Sequence, residues 1–295
     1  MTDIKTPKDH IILVPVDFSE SSTNALTYAV EMAKLFDNEI TLVNAVSKGM
    51  KSLFINETQK ELLKDGINLR LNKYRDEILA DWPNGKVNVI IEEGKPYKVI
   101  TKIAEEHKCD TIIMGTNGAN GIDQFVGSTT SRVISVANCP VIAVKQKTDM
   151  PTFDKIVLPI DLTKSSKQKV NWAIKLAQKY HSTVHIIMEV DNDEFIKHNI
   201  ELNLKQVEQA MRDNDVKYVS KMLDDRKYPD NLGMDTIQYA EEVGADLIII
   251  MTQAEGGIKE LFVGSYAQQI VNSSQKTPVM CINPRKTYSY VGLEL

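Results

Sequence analysis

Short apolar runs alternate with longer amphipathic stretches along the whole chain. IILVPV at 11–16 is rich in β-branched residues and reads as a strand buried on both faces. Residues 20–36 place Ala25, Leu26, Ala29, Val30 and Ala33 at helical spacing, with Ser19 as the N-cap. ITLVNAV (40–46) is a second strand, and the polar–apolar stretch 56–80 predicts a helix. A strand at 87–92, a helix at 97–107, a strand at 110–115, a helix opening near Ser128 and a strand at 140–145 complete the series. Strands alternating with helices imply a parallel sheet covered on both faces. Ligands then sit beyond the carboxyl ends of the strands, where strand order reverses. The residues to inspect are therefore Asp17 and the segment from Gly115 onward.

The same series is written twice. IILVPVDFSESSTNALTYAVEMA (11–33) matches KIVLPIDLTKSSKQKVNWAIKLA (155–177) at a constant offset, so that Pro15 meets Pro159 and Asp17 meets Asp161. AEEHKCDTIIMGT (104–116) matches AEEVGADLIIIMT (240–252), FVGS recurs at 125–128 and 262–265, and CPVIAV (139–144) corresponds to TPVMCI (277–282). Blocks shared in one order mark a tandem duplication. The second copy predicts strands near 156–160, 183–190, 216–220, 247–251 and 278–282. The joint falls in the polar stretch 146–154, giving domains at 1–147 and 152–295.

A chain of 295 residues accommodates two such units. Its net charge of −5 argues against nucleic acid or an anionic membrane as partner, either of which needs a strongly basic face. The polar N-terminus predicts no signal peptide, and the longest apolar run is too short to span a bilayer. Three scattered cysteines make no disulfide framework, so a reduced, cytoplasmic setting is expected. Cys139 and Cys281, in apolar runs beside prolines, read as buried core thiols. The five histidines form no metal-binding spacing; His181 and His185 straddle a helix end and a strand start.

Glycine is scarce, yet four of the 14 fall between 115 and 127, in MGTNGANGIDQFVGSTTSRVI. One reading is an anion cradle. Glycines let the backbone approach phosphates, and a helix N-terminus at Gly127-Ser128 adds unpaired N–H donors. The other reading is a turn-rich connection with Ser128 as N-cap. No GK[ST] follows the glycines and no GxGxxG follows the first strand, so neither a Walker loop nor a dinucleotide fingerprint is present. Asp17 suits a ribose or adenine contact, or else it bonds the start of the next helix.

PVDFSESS, DTIIMGTNG, the glycine loop, the Gly-Ser helix start and CPVIAV together resemble the universal stress protein family, once in each half. The resemblance implies two tandem doubly wound α/β domains, each a five-stranded parallel sheet with helices on both faces. It also implies ATP binding in one subset of members, and pairing through the last strands. Carried over, Pro15, Val16 and Asp17 would face the nucleoside and Ala45 the adenine. Met114, Gly115, Gly118, Gly127, Ser128 and Thr129 would cradle ribose and phosphates, with Mg accompanying ATP. The binding subset spaces its second and third glycines by nine residues, whereas eight separate Gly118 from Gly127 here. One residue fewer moves the second anchor by up to about 3.5 Å in an extended loop. In the second half Met251 and Ala254 stand where Gly115 and Gly118 do, and Glu255 adds a repelling charge. Weak or no triphosphate binding is expected there, and Asp161, Gly264 and Ser265 read as structural remnants.

Three functions follow as expectations. The first is a cytoplasmic stress-response module that binds an adenine nucleotide in its first domain and acts through nucleotide-dependent regulation. Its second domain would be the pseudo-dimer partner, with strands 140–145 and 278–283 paired. A homodimer is a further assembly that the resemblance leaves open. The second is an interaction module of the same fold that binds no nucleotide, its partner surfaces drawn from 47–60 and 191–202, stretches that also read as ordinary variable loops. The third is an enzyme limited to slow ATP hydrolysis. No catalytic residue or metal site is assigned, since only Asp17 and Asp123 stand beside the loop.

Overall fold

The computed structural model describes residues 10–47, 57–116, 126–145, 152–161, 166–189, 193–223, 232–252 and 265–284. The first copy runs β1 (Ile11–Pro15), α1 (Glu20–Phe36), β2 (Glu39–Val46), α2 (Glu57–Asp81), β3 (Val87–Glu93), α3 (Pro96–Glu106), β4 (Thr111–Gly115), α4 (Ser128–Val136) and β5 (Val141–Val144). The second runs β6 (Lys155–Ile160), α5 (Ser166–Tyr180), β7 (Thr183–Glu189), α6 (Glu194–Asp213), β8 (Lys217–Leu223), α7 (Leu232–Val243), β9 (Leu247–Met251), α8 (Ser265–Ser273) and β10 (Val279–Ile282). The stretch 191–202, expected as a loop, is helical from Glu194, capped by the Asp193 carboxylate on the N–H groups of Phe195 and Ile196. Residues 48–56 lie outside the described residues.

The ten strands form one sheet in the order β3-β2-β1-β4-β5-β10-β9-β6-β7-β8. Pairing is parallel within each copy and antiparallel only where β5 meets β10. There Val279 faces Ala143, Met280 faces Ile142 and Cys281 faces Val141. Equivalent residues exchange places about the Ile142–Met280 pair, so a pseudo-twofold passes through it. The expected pairing of the closing strands is therefore present, and it joins two five-stranded sheets into one.

Central strands such as β4, β5 and β9 are apolar and buried, which is why they lack alternation. The edge strand β8 alternates instead, as a half-covered strand must. α1, α2, α5 and α6 bury their apolar faces on one side of the sheet, and α3, α4, α7 and α8 on the other. α1 starts where Ser19 Oγ accepts from the Ser22 N–H at 3.2 Å and ends at Asp37, whose φ of 50° is left-handed.

The joint between copies is not merely polar. Phe153 is fully buried, its ring 4.7 Å from that of Tyr180 and 6.0 Å from those of Tyr28 and Phe36. An aromatic cluster thus pins the linker under the sheet. One expectation is corrected: Cys139 is only half-buried, in the turn ahead of β5, while Cys109 and Cys281 are buried. His181 closes α5 with a left-handed φ of 57°, and His185 Nδ1 lies 3.0 Å from Tyr239 Oη, so the two histidines serve separate ends.

Candidate functional site

In the first copy β1 lies between β2 and β4, and the helices that lead into those two neighbours, α1 and α3, cover opposite faces of the sheet. This is the switch point of a doubly wound sheet, and the crevice opens beyond the carboxyl ends of β1 and β4. Val16 extends β1 there: its N–H donates to Val43 O at 2.8 Å and its carbonyl accepts from Asn44 Nδ2 at 2.7 Å. With both main-chain groups engaged, Val16 and Pro15 offer shape rather than polar contacts. Asp17 is exposed, and its Oδ1 accepts from the Ser19 N–H at 3.0 Å and Ser19 Oγ at 2.5 Å. Its second carboxylate oxygen has no hydrogen-bond partner among the described residues. The turn is strained, because Phe18 takes a φ of 65°. Phe18 packs on Tyr74, and the Arg70 guanidinium lies 3.9 Å over its ring, placing a cation beside the turn that holds Asp17.

The other lip is the start of α4. Gly127 occupies the N-cap position and no side chain caps the helix, so the alternative of Ser128 as the cap does not hold. Ser128 is exposed and Thr129 half-buried, and the N–H groups of this first turn are left as donors. Two bonds tie the lip to β4: the Gly127 N–H donates to Thr116 O at 2.6 Å, and Thr130 Oγ1 donates to Gly115 O at 2.9 Å. Beside them Thr116 Oγ1 is buried without a hydrogen-bond partner among the described residues. Gly115 has a packing role as well. A Cβ there would stand 2.6 Å from the main-chain carbonyl carbon of Ser21, so the glycine lets α1 approach the sheet.

Pro15, Val16, Asp17 and Gly115 thus lie at the carboxyl ends of the neighbouring strands β1 and β4, and Gly127, Ser128 and Thr129 lie at the α4 start that is tied to the end of β4. Ala45 lies near the end of β2, beside β1 and paired with Glu92 of β3. Met114 is 4% exposed, packs into the core with residues of α3 and α4, and is paired with Ala143 in the sheet. Gly118 and Asp123 lie outside the described residues. Thr116 and Arg70 were not singled out by sequence reasoning. Thr116 carried a signal, since Thr252 recurs at its place; Arg70, on a polar helix surface, carried none.

A sequence model of the universal stress protein family matches residues 10–145 and again 152–283. The chain belongs to the universal stress protein family. A universal stress protein of Methanocaldococcus jannaschii is 34% identical over 140 residues, which cover 46% of this chain and 81% of that protein. A putative universal stress protein of Staphylococcus aureus is 33% identical over 138 residues, covering 45% and 82%. The crystal structure of a universal stress protein from Archaeoglobus fulgidus superimposes over 95% of this chain and 98% of its own with a TM-score of 0.74; at 21% identity this is a likeness of fold.

The second universal stress protein domain spends the same positions differently. Met251 pairs with Ile282 as Gly115 pairs with Val144, so Met251 does stand in the glycine's place. Thr252 is equivalent to Thr116, but its hydroxyl is engaged by Asn283 Oδ1 and lies 3.4 Å from Ile282 O. Where α1 has Ala25, α5 has Lys169, which is 2% exposed. Burial pushes this ammonium down to about 8, against the opposing pull of the Asp161 carboxylate. Tyr266 replaces Thr129; its hydroxyl lies 3.3 Å from Thr236 Oγ1, and desolvation raises its phenol. Gly264 lies outside the described residues, and Ser265 begins α8. No helix among the described residues is long and apolar enough to cross a membrane.

Proposed function

We propose that the first domain (within 1–147) binds ATP or a related adenine nucleotide, while the second (within 152–295) serves as its pseudo-dimer partner and binds no triphosphate. The chain then acts as a nucleotide-dependent regulatory module in a cytoplasmic stress response. What supports this is an exposed Asp17 carboxylate following β1 and, after the neighbouring strand β4, an α4 start that no side chain caps. A carboxylate accepts from ribose hydroxyls, and free helix N–H groups donate to phosphate oxygens.

The residues fit the group. Thr116 Oγ1 is a buried hydroxyl with no partner among the described residues, beside the α4 start, and Ser128 and Thr129 add hydroxyls there. Magnesium would ride on the phosphates and water, since no cluster of three His, Cys, Asp or Glu occurs among the described residues. Asp17 is committed to Ser19, which suits binding rather than base catalysis. Slow hydrolysis is the most this site supports, and sustained turnover lost in Asp17→Ala would reverse that.

Calorimetric titration of the whole chain with ATP should give about one site, abolished by Gly118→Leu. Two equal sites, or binding that survives that change, overturn the proposal. The packing role of Gly115 favours the competing reading, an interaction module without nucleotide, because it explains that glycine without a ligand. Protein purified mildly that carries no nucleotide, and binds none at millimolar concentration, would establish that reading instead.

A further inference from the structure

Asn272 lies in the last turn of α8, in the second domain, yet both of its described bonds reach the first. Its Oδ1 accepts from the Val126 N–H at 2.8 Å, and its main-chain carbonyl accepts from Lys145 Nζ at 2.7 Å. Val126 immediately precedes Gly127, the N-cap of α4, and the Gly127 N–H is itself bonded to Thr116 O. The segment that leads into the phosphate-side lip is thus tied on one side to its own sheet and on the other to the neighbouring domain. Val263, the counterpart of Val126, lies outside the described residues. Asn272 has Ser135 as its counterpart in α4, whose hydroxyl donates to Ser131 O of its own helix at 2.7 Å. The second domain makes a further contact with α4 through Asn283, whose Nδ2 donates to Ile134 O at 2.7 Å and Ala137 O at 2.9 Å, at the far end of the helix.

We infer that Asn272 is a positioning residue for the nucleotide site of the other domain, and that it couples occupancy of that site to the junction. The inference rests on the reading that the first domain holds an adenine nucleotide. Its physics is preorganisation. A lip already held in place loses less freedom when it closes on phosphates, so its donors act at full strength. Val126 has only an N–H to give, which fixes the Asn272 amide with Oδ1 toward it. α4 is gripped at its entry by Asn272 and at its exit by Asn283, both from the second domain. A ligand that tightens the entry therefore works against a helix whose other end belongs to the interface, and the coupling must act in both directions.

The test is Asn272→Ser in the full chain, a residue the fold already carries at position 135. Dissociation constants for ATP, ADP and adenosine are measured for wild type, for Asn272→Ser and for Lys145→Met, which removes the other bond to Asn272 but leaves Val126 pinned. Asn272→Ser should weaken ATP and ADP about tenfold, the worth of one hydrogen bond to the site's scaffold, and leave adenosine within about twofold. Lys145→Met should leave the ATP-to-adenosine ratio unchanged. Equal weakening of ATP and adenosine, no weakening of ATP, or the same loss in Lys145→Met overturns the inference. A second measurement needs no variant: amide exchange of the wild type with ATP should slow at Val126–Thr130 and also in the last turns of α8. Protection confined to the first domain overturns it. Wild type that binds no nucleotide at all refutes the functional reading itself. Asn272 is then judged by amide exchange at Val126 without ligand, which Asn272→Ser should quicken; unchanged exchange removes the pin as well.

Discussion

At the carboxyl end of β4 the first domain has Gly115; at the same place on β9 the second has Met251, in the same register against the closing strand. The backbones agree and the uses differ. Gly115 gives up its side chain so that α1 can close on the sheet, its virtual Cβ lying 2.6 Å from the Ser21 carbonyl carbon. Met251 instead adds to the core, 8% exposed. A duplicated fold therefore keeps its strand order under selection for packing alone, while the positions that line the crevice are free to diverge. The sharpest break of this comparison is a pair of valine substitutions. Gly115→Val has to displace helix backbone and should cost about 3 kcal/mol. Met251→Val, a loss of volume at a strand end, should cost about 1 kcal/mol. Urea unfolding measures both, and equal costs would mean that α1 is not seated on the glycine.

Next in size is Lys169, against Ala25 in the first domain. A lysine of the unfolded chain titrates near 10.5, whereas Lys169 in the fold titrates at about 8. Between those values the unfolded chain binds more protons, so stability rises with pH from about 8 to 10.5 and is lowest below 8. Lys169→Met removes the buried ammonium and should stabilise the protein by ~2 kcal/mol at pH 7, with a gain that shrinks as pH approaches 10. Denaturation at pH 7 and pH 9.5 checks this. A variant less stable than wild type at pH 7 would show that the Lys169–Asp161 attraction outweighs the burial.

Much of the fold was legible because its signals are local. Unalternating apolar runs gave the central strands, and the 3.6-residue period with Ser19 ahead of it gave α1. The β5–β10 pairing followed from the repeat together with the family resemblance. Phe153 was not legible: one aromatic in a polar stretch has no period, and its burial depends on rings from both copies. The glycine loop was half legible. Spacing shows that side chains are missing, but not which neighbour needs the room, and at Gly115 that neighbour includes α1. Asn272 escaped for a different reason. Reading by repeats looks for what the copies share, and Asn272 meets Ser135 at the equivalent place of α4, so the residue that reaches Val126 is not a repeated one.

The junction offers a smaller contrast, between Asn283 and its counterpart Lys145. Asn283 donates to two α4 carbonyls and accepts from Thr252, whereas Lys145 donates across to Asn272 O. Asn283→Ala strands two carbonyls and a hydroxyl and should cost ~2 kcal/mol. Lys145→Met loses the part-buried bond to Asn272 O and should cost under ~1 kcal/mol. Thermal unfolding of the two variants orders them, and the reverse order would place the stronger grip on the first domain's side.

The finest contrast is between the two threonines. Thr116 and Thr252 each donate a main-chain N–H to the closing strand, at 3.1 and 3.0 Å, and each is 1% exposed. Their hydroxyls part company: Thr252 bonds to Asn283, and Thr116 has no partner among the described residues because Lys145, at the Asn283 position, has no acceptor to offer. Valine has the shape of threonine without the hydroxyl. Thr252→Val therefore leaves the Asn283 carbonyl unpaired and should destabilise by ~1 kcal/mol. Thr116→Val relieves a buried, unsatisfied group and should stabilise the ligand-free protein by a few tenths to ~1 kcal/mol. Opposite signs for one substitution at equivalent sites are the expected result in urea. Adding ATP should then reverse the ranking of Thr116→Val and wild type, since only wild type keeps the hydroxyl for the nucleotide. If Thr116→Val destabilises the ligand-free protein, the hydroxyl is satisfied within the fold and was never held in reserve for a ligand.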